Sequence, residues 1–303
     1  MEYRMKAQVT VLLLFLQYIS QAQGPTADFS YTARTDFKPD TVETKDYGDQ
    51  NKSLKIVIDG WDSKVPFFIV QPSEPTNQFV ILLHGLGDSK EGWITRRVSE
   101  LSKNYVSLKD SLLQLGYSVI IPDAKYHGER SFEANFAPPS TLLVPSKLDM
   151  IEAMWVTTVK DLRLIMDYIE LVTNENATFE VVGYSMGGML AIMLNSSDNR
   201  LNSTVACVAP LDIPKVATNV FAWNDIDAAE SLDLISPQNY ASTQLSPICL
   251  LMGESDFYYT ADEAKAFYNQ ILVDDKRIEF YESGHYLPTD FVATAINWLT
   301  THK

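Results

Sequence analysis

The pentapeptide Gly183-Tyr184-Ser185-Met186-Gly187 constrains this chain more than any other feature. It follows the apolar run Phe179 to Val182 and leads into Gly188 to Leu194, which reads as a helix. A strand that turns sharply into a helix around a serine strains the serine backbone, so small residues are needed on both sides. The turn lifts the hydroxyl clear of the sheet and points the first helical N–H groups at whatever it attacks. An ordinary glycine-rich turn is the alternative reading. It loses ground once partners for the serine are found further along.

The rest of the chain alternates in the same way. Apolar runs at 79–83, 117–121, 179–182, 205–208, 248–252 and 277–281 read as strands of a parallel sheet covered on both faces. Between them lie amphipathic stretches. Leu108, Leu112, Leu113 and Leu115 form a stripe that Gly116 stops, and Met154, Val159, Leu162, Ile165, Met166 and Ile169 form a longer one. Residues 54–58 and 65–70 flank a turn-rich segment and read as an antiparallel hairpin. The pattern predicts an α/β fold: a doubly wound, mostly parallel sheet with an antiparallel N-terminal hairpin. Two segments, 130–150 and 212–246, exceed what simple connections need. Both leave the carboxyl ends of strands, so they are candidates for the walls and lid of a pocket, with plain surface insertions as the alternative.

The first residues read as a secretory signal. Arg4 and Lys6 precede an apolar stretch from Val9 to Ile19, and Ser20-Gln21-Ala22 supplies small residues for cleavage. The apolar stretch is short for a membrane span, although an uncleaved anchor is the alternative, and no Cys follows to carry a lipid. The expected division is a leader over 1–22, an irregular polar arm over 23–53 laid across the sheet edge, and one α/β domain over 54–303. That location outside the cytoplasm fits four Asn-x-Ser/Thr sequons, at Asn51, Asn176, Asn195 and Asn202, which matter only in a eukaryotic secretory pathway. Cys207 and Cys249 each sit inside an apolar strand-like run and read as buried free thiols. With 24 Lys and Arg against 39 Asp and Glu, the chain carries a net charge of −15. Its scattered basic residues argue against a nucleic-acid partner and against stable association with an anionic membrane.

A serine hydroxyl needs a base to take its proton, and the base needs an orienting carboxylate. Of the four histidines, His285 lies in a loop directly after the last strand, on the same sheet edge as Ser185. His302 is beside the terminus. His84 reads as a brace for its own turn. The carboxylate should fall between nucleophile and base in sequence. Asp256, just past the strand that ends at Met252, ranks first, Glu254 second and Asp212 third. Asp212 has an alternative role as a helix N-cap. Two backbone N–H groups should meet the developing oxyanion: that of Met186, and that of Leu86 in the loop His84-Gly85-Leu86-Gly87-Asp88. No metal-ligand spacing and no phosphate-binding glycine motif is present, so the chemistry calls for no cofactor.

With His84-Gly85-Leu86-Gly87, the Ser185 turn, Gly253-Glu254-Ser255-Asp256 and Ser283-Gly284-His285 all in order, the chain resembles the α/β-hydrolases from about Leu54 onward. Within them, the stretch Pro122 to Ser131 is similar to a loop of dienelactone-hydrolase-like esterases and of prolyl-oligopeptidase-type catalytic domains. The serine at the elbow departs from true dienelactone hydrolases, and the His127-Gly128 turn is a scaffold feature in such families. The resemblance implies a secreted serine esterase that cleaves small carboxylic esters through an acyl-enzyme. A prolyl-oligopeptidase-type peptidase is the second reading, against which the chain has no room for the N-terminal propeller. A hydrolase fold kept as a binding protein without turnover is the third.

Overall fold

Nine strands form one twisted sheet in the order β1-β2-β3-β5-β4-β6-β7-β8-β9. This computed structural model describes residues 24–47, 51–95, 99–174 and 176–302. The proposed leader over 1–22 lies outside them. The strands are β1 (Asp40–Tyr47), β2 (Asn51–Asp59), β3 (Lys64–Gln71), β4 (Gln78–Leu83), β5 (Ser118–Pro122), β6 (Thr178–Tyr184), β7 (Leu201–Cys207), β8 (Ile248–Gly253) and β9 (Lys276–Tyr281). The helices are α1 (Glu91–Ile94), α2 (Glu100–Gln114), α3 (Leu148–Thr173), α4 (Met186–Ser197), α5 (Ile213–Asn219), α6 (Ile226–Glu230), α7 (Ala261–Gln270) and α8 (Phe291–Thr301). Strands β4 to β9 pair in parallel, whereas β1, β2 and β3 pair antiparallel and join the sheet through an antiparallel β3–β5 contact. The expected architecture is therefore the observed one, with one strand more at its N-terminal edge.

Successive side chains of a strand point to opposite faces, so each central strand feeds two cores. Val80, Leu82, Val182, Val205 and Leu251 pack with α2 and α8 on one face. Ile81, Leu83, Val181, Ala206 and Leu250 pack with α3 and α4 on the other. Strand order reverses at β4 and β6, whose carboxyl ends therefore open a crevice that no crossover helix covers. Helix α2 stops as its sequence foretells. Gly116 takes φ +88°, Gly116 N–H donates to Leu113 O, and Tyr117 N–H donates to Leu112 O. These are the two bonds of a Schellman cap.

The N-terminal arm differs from its expected form. Residues 40–47 are a strand, because the alternating polar sequence there pairs with β2 along its whole length. Residues 27–34 lie on α3, not across a sheet edge. Tyr31 donates to Asp167 Oδ1 at 2.8 Å, the Arg34 amide donates to Asp167 Oδ2 at 2.9 Å, and Arg163 donates to Phe29 O at 2.8 Å. A second set of ions is buried beneath β3. The Arg130 guanidinium bonds Glu133, Asp161 and Ser63, and Asp161 also accepts the Trp61 amide at 2.6 Å. Burial raises the Asp161 carboxyl against the pull of Arg130. Removing either partner would strand a charge in the core.

Candidate active site

Ser185 sits where β6 becomes α4, with φ 56° and ψ −116°. Non-glycine residues avoid that region, and the surroundings enforce it. The Ser185 amide donates to Cys207 O at 2.9 Å, and its carbonyl accepts the Met189 amide at 3.1 Å. The flanking glycines are required by close approach. A Cβ on Gly183 would lie 1.9 Å from Gly187 O, and one on Gly187 would lie 2.3 Å from Leu83 O.

His285 is bonded at both ring nitrogens. Nε2 lies 2.8 Å from Ser185 Oγ, and Nδ1 lies 2.8 Å from Asp256 Oδ2. An ionised carboxylate only accepts, so Nδ1 carries the proton and Nε2 offers its lone pair to the serine hydroxyl. The Asp256 side chain is wholly buried and its Oδ1 accepts the Tyr258 amide at 2.9 Å, which fixes the carboxylate plane. Backbone bonds stitch the two loops together, Glu254 N–H to Tyr281 O and Ser255 N–H to Ser283 O. Among the three carboxylates weighed, Asp256 meets the histidine. Glu254 is exposed, and Asp212 caps α5 by accepting the Lys215 amide at 3.0 Å.

Leu86 and Met186, the two expected oxyanion donors, line the same cavity as Ser185. Met186 is the first residue of α4, and a helix leaves its first N–H groups without partners inside the helix. His84 braces the loop before Leu86. Its Nδ1 donates to Gly85 O at 2.9 Å while Nε2 accepts the Ala124 amide at 3.2 Å. His127 packs beside it with Nδ1 on Lys125 O at 2.9 Å, and burial pushes its imidazole down to about 3. Bonded to the Lys125 carbonyl and packed on His84, His127 belongs to the scaffold.

The cavity that Ser185, Leu86 and Met186 share opens to solvent. Both long segments contribute walls, Leu143 from the first and Ile213, Val216, Ala217, Phe221 and Trp223 from the second. The Trp223 indole N–H donates to Leu143 O at 3.2 Å and ties the two segments together across the cavity. Tyr184 was not singled out in the sequence. Its hydroxyl accepts the Leu287 amide at 2.8 Å, beside the histidine loop. The only signal was its place next to the serine, since nothing local foretells a contact with a loop about a hundred residues away.

A serine at the switch point, a histidine one loop beyond the sheet's last strand, and an aspartate between them in sequence are the layout of the α/β hydrolases. Residues 80–278 match the alpha/beta hydrolase family, and the chain belongs to it. Solved structures agree on the fold. A cold-adapted esterase from an Arctic intertidal metagenomic library superposes with a TM-score of 0.65 at 16% identity, covering 86% of this chain and 97% of that one. An acetyl xylan esterase from Paenibacillus sp. R4 gives 0.63 at 14% identity, over 88% of this chain and 89% of the other. The esterase Pf2001 of Pyrococcus furiosus gives 0.56 at 18% identity, over 92% and 97%. At these identities the likeness is one of fold. No curated protein matches the sequence. Among the described residues, no helix is long and apolar enough to cross a membrane.

Proposed function

We propose that the protein is a serine hydrolase that cleaves small carboxylic esters through an acyl-enzyme, with Ser185 as nucleophile, His285 as base and Asp256 as its orienting carboxylate. The observation that carries this reading is the doubly bonded His285, 2.8 Å from Asp256 Oδ2 and 2.8 Å from the Oγ of Ser185, which lines an apolar cavity. In the first half-reaction Ser185 Oγ bonds the ester carbon while its proton passes to His285 Nε2. The Leu86 and Met186 N–H groups meet the oxyanion. The C–O bond to the alcohol then breaks, and His285 returns the proton to the departing alcohol. A water molecule repeats the sequence on the acyl-enzyme, giving the acid and free serine.

The stretch 122–131 resembles both dienelactone-hydrolase-like esterases and prolyl-oligopeptidase-type domains. Among the described residues the cavity lining holds no charged side chain, which favours the ester side of that pair, because a peptide amino terminus needs an acidic partner. The esterase names of the three fold neighbours point the same way. The basic, apolar and small-residue order of the first 22 residues supports export from the cytoplasm. A fluorophosphonate probe should label Ser185 in the wild type and nothing in Ser185→Ala. A panel of matched esters and peptide amides should show turnover of the esters. Absence of labelling in folded protein, or faster turnover of the amides, would overturn the reading.

A further inference from the structure

The geometry points to the cavity as the acyl-side subsite, selecting uncharged apolar acyl chains longer than acetyl; this rests on the ester-hydrolase reading above. Three observations assign the acyl half. The cavity is lined by Ser185 and by both oxyanion candidates, Leu86 and Met186, whereas His285 and Asp256 are not part of its wall. The alcohol must depart toward the imidazole that returns its proton, and that imidazole is not part of the cavity wall. What remains on the serine is the acyl group, and the space beside the serine and its oxyanion donors is this cavity.

The lining sets the chemistry. None of the fifteen residues carries a charge, and apart from Ser185 the only hydroxyl is that of Tyr258. Ile151, Trp155 and Met189 line it from α3 and α4, and Val216, Ala217 and Phe221 from α5 and the residues that follow it. A carboxylate or ammonium placed here would lose its water with nothing to replace it. An acetyl group offers only a single methyl to these apolar side chains. Each further methylene buried against these side chains should raise kcat/KM about fourfold until the far wall is reached. The Trp223 to Leu143 bond joins the two segments that wall the cavity.

The test uses one alcohol throughout: p-nitrophenyl acetate, butyrate, hexanoate and hemisuccinate. Butyrate and hexanoate should exceed acetate in kcat/KM by at least tenfold, and the hemisuccinate should fall roughly a hundredfold below butyrate. Ala217→Phe and Leu143→Trp fill the space from its two sides, and either should cut the hexanoate-to-acetate ratio by at least tenfold. Acetate preferred over both longer esters, a hemisuccinate as fast as butyrate, or an unchanged ratio in both variants would each overturn the assignment. Loss of the ester-hydrolase reading shows itself separately, as folded wild type that turns over none of the four. In that event Ser185→Ala decides the cavity's chemistry by calorimetry. Binding of the hexanoate ester without binding of the hemisuccinate upholds an uncharged apolar site, and equal or no binding overturns it.

Discussion

The Tyr184 hydroxyl donates a hydrogen bond to the backbone carbonyl of His285 at 2.9 Å, so the residue before the elbow serine holds the loop that carries its base. Burial pushes that hydroxyl above the usual tyrosine range, which keeps it a donor. Because the same oxygen accepts the Leu287 amide, one phenol fixes the loop at two points around the histidine. Ser185 and His285 are thereby positioned from a single strand end.

Replacing Tyr184 by Phe removes both bonds and leaves a buried carbonyl and a buried amide unsatisfied. Each such group costs roughly 1–3 kcal/mol. Tyr184→Phe should therefore melt lower and lose about tenfold in kcat, while a fluorophosphonate still labels Ser185 at a reduced rate. Wild-type kcat in the variant would show that the histidine loop is held by other contacts.

The carboxylate assignment yields a ranking. Ser185→Ala should abolish ester turnover with its melting temperature little changed. Asp256→Asn should lower kcat by about 10⁴, the loss seen when a triad carboxylate becomes an amide and the histidine tautomer is wrong. Glu254→Gln should be nearly silent, since Glu254 is exposed. Steady-state kinetics on the purified variants check this, and a reversed order would move the acid to Glu254.

Acid should destabilise the fold partly through His127. Burial holds its imidazole down to about 3, and the neighbouring His84 adds to the shift. An unfolded histidine titrates near roughly 6.5. Between those values the unfolded chain takes up a proton that the native state refuses. The stabilisation is present in full above the unfolded value and is lost progressively as pH falls toward the folded one. Urea titrations at several pH values should show stability falling below neutrality. His127→Asn should flatten that dependence, by about 1.4 kcal/mol per pH unit at most. Parallel slopes for the two proteins would remove His127 from the account.

The two thiols should be inert in the native protein. Cys207 and Cys249 stand on the adjacent strands β7 and β8, both fully buried, and burial pushes Cys249 up to about 12 and Cys207 well above its usual range. Ellman's reagent should find no reactive thiol in the folded chain and two after denaturation. Rapid native reaction of either would place a thiol at the surface.

Much of the site was legible because its signals are local. The glycines around Ser185, the Gly116 stop and the apolar runs each act within a few residues, so the strands, the turn and the order of serine, acid and base could be read directly. What escaped depends on contacts between distant segments. Strand β1 has a polar sequence and exists because β2 offers it an edge. Asn195 looks like a surface sequon, yet it is fully buried and cross-links Thr204 Oγ1, Ser246 O and the Leu245 and Ser246 amides. The Arg130 to Asp161 pair joins residues whose charges suggested the surface. The helix after the first long segment begins at Leu148, inside the stretch read as insertion, because Pro138, Pro139 and Pro145 break the pattern just before it.

Ser185 and His285 stand a hundred residues apart, and β7, β8 and β9 must be laid down in order before they meet. The elbow, by contrast, is closed by contacts among β4, β6 and β7. During synthesis Ser185 therefore leaves the ribosome well before His285, and under the proposed mechanism hydrolysis begins only when the loop that carries His285 docks.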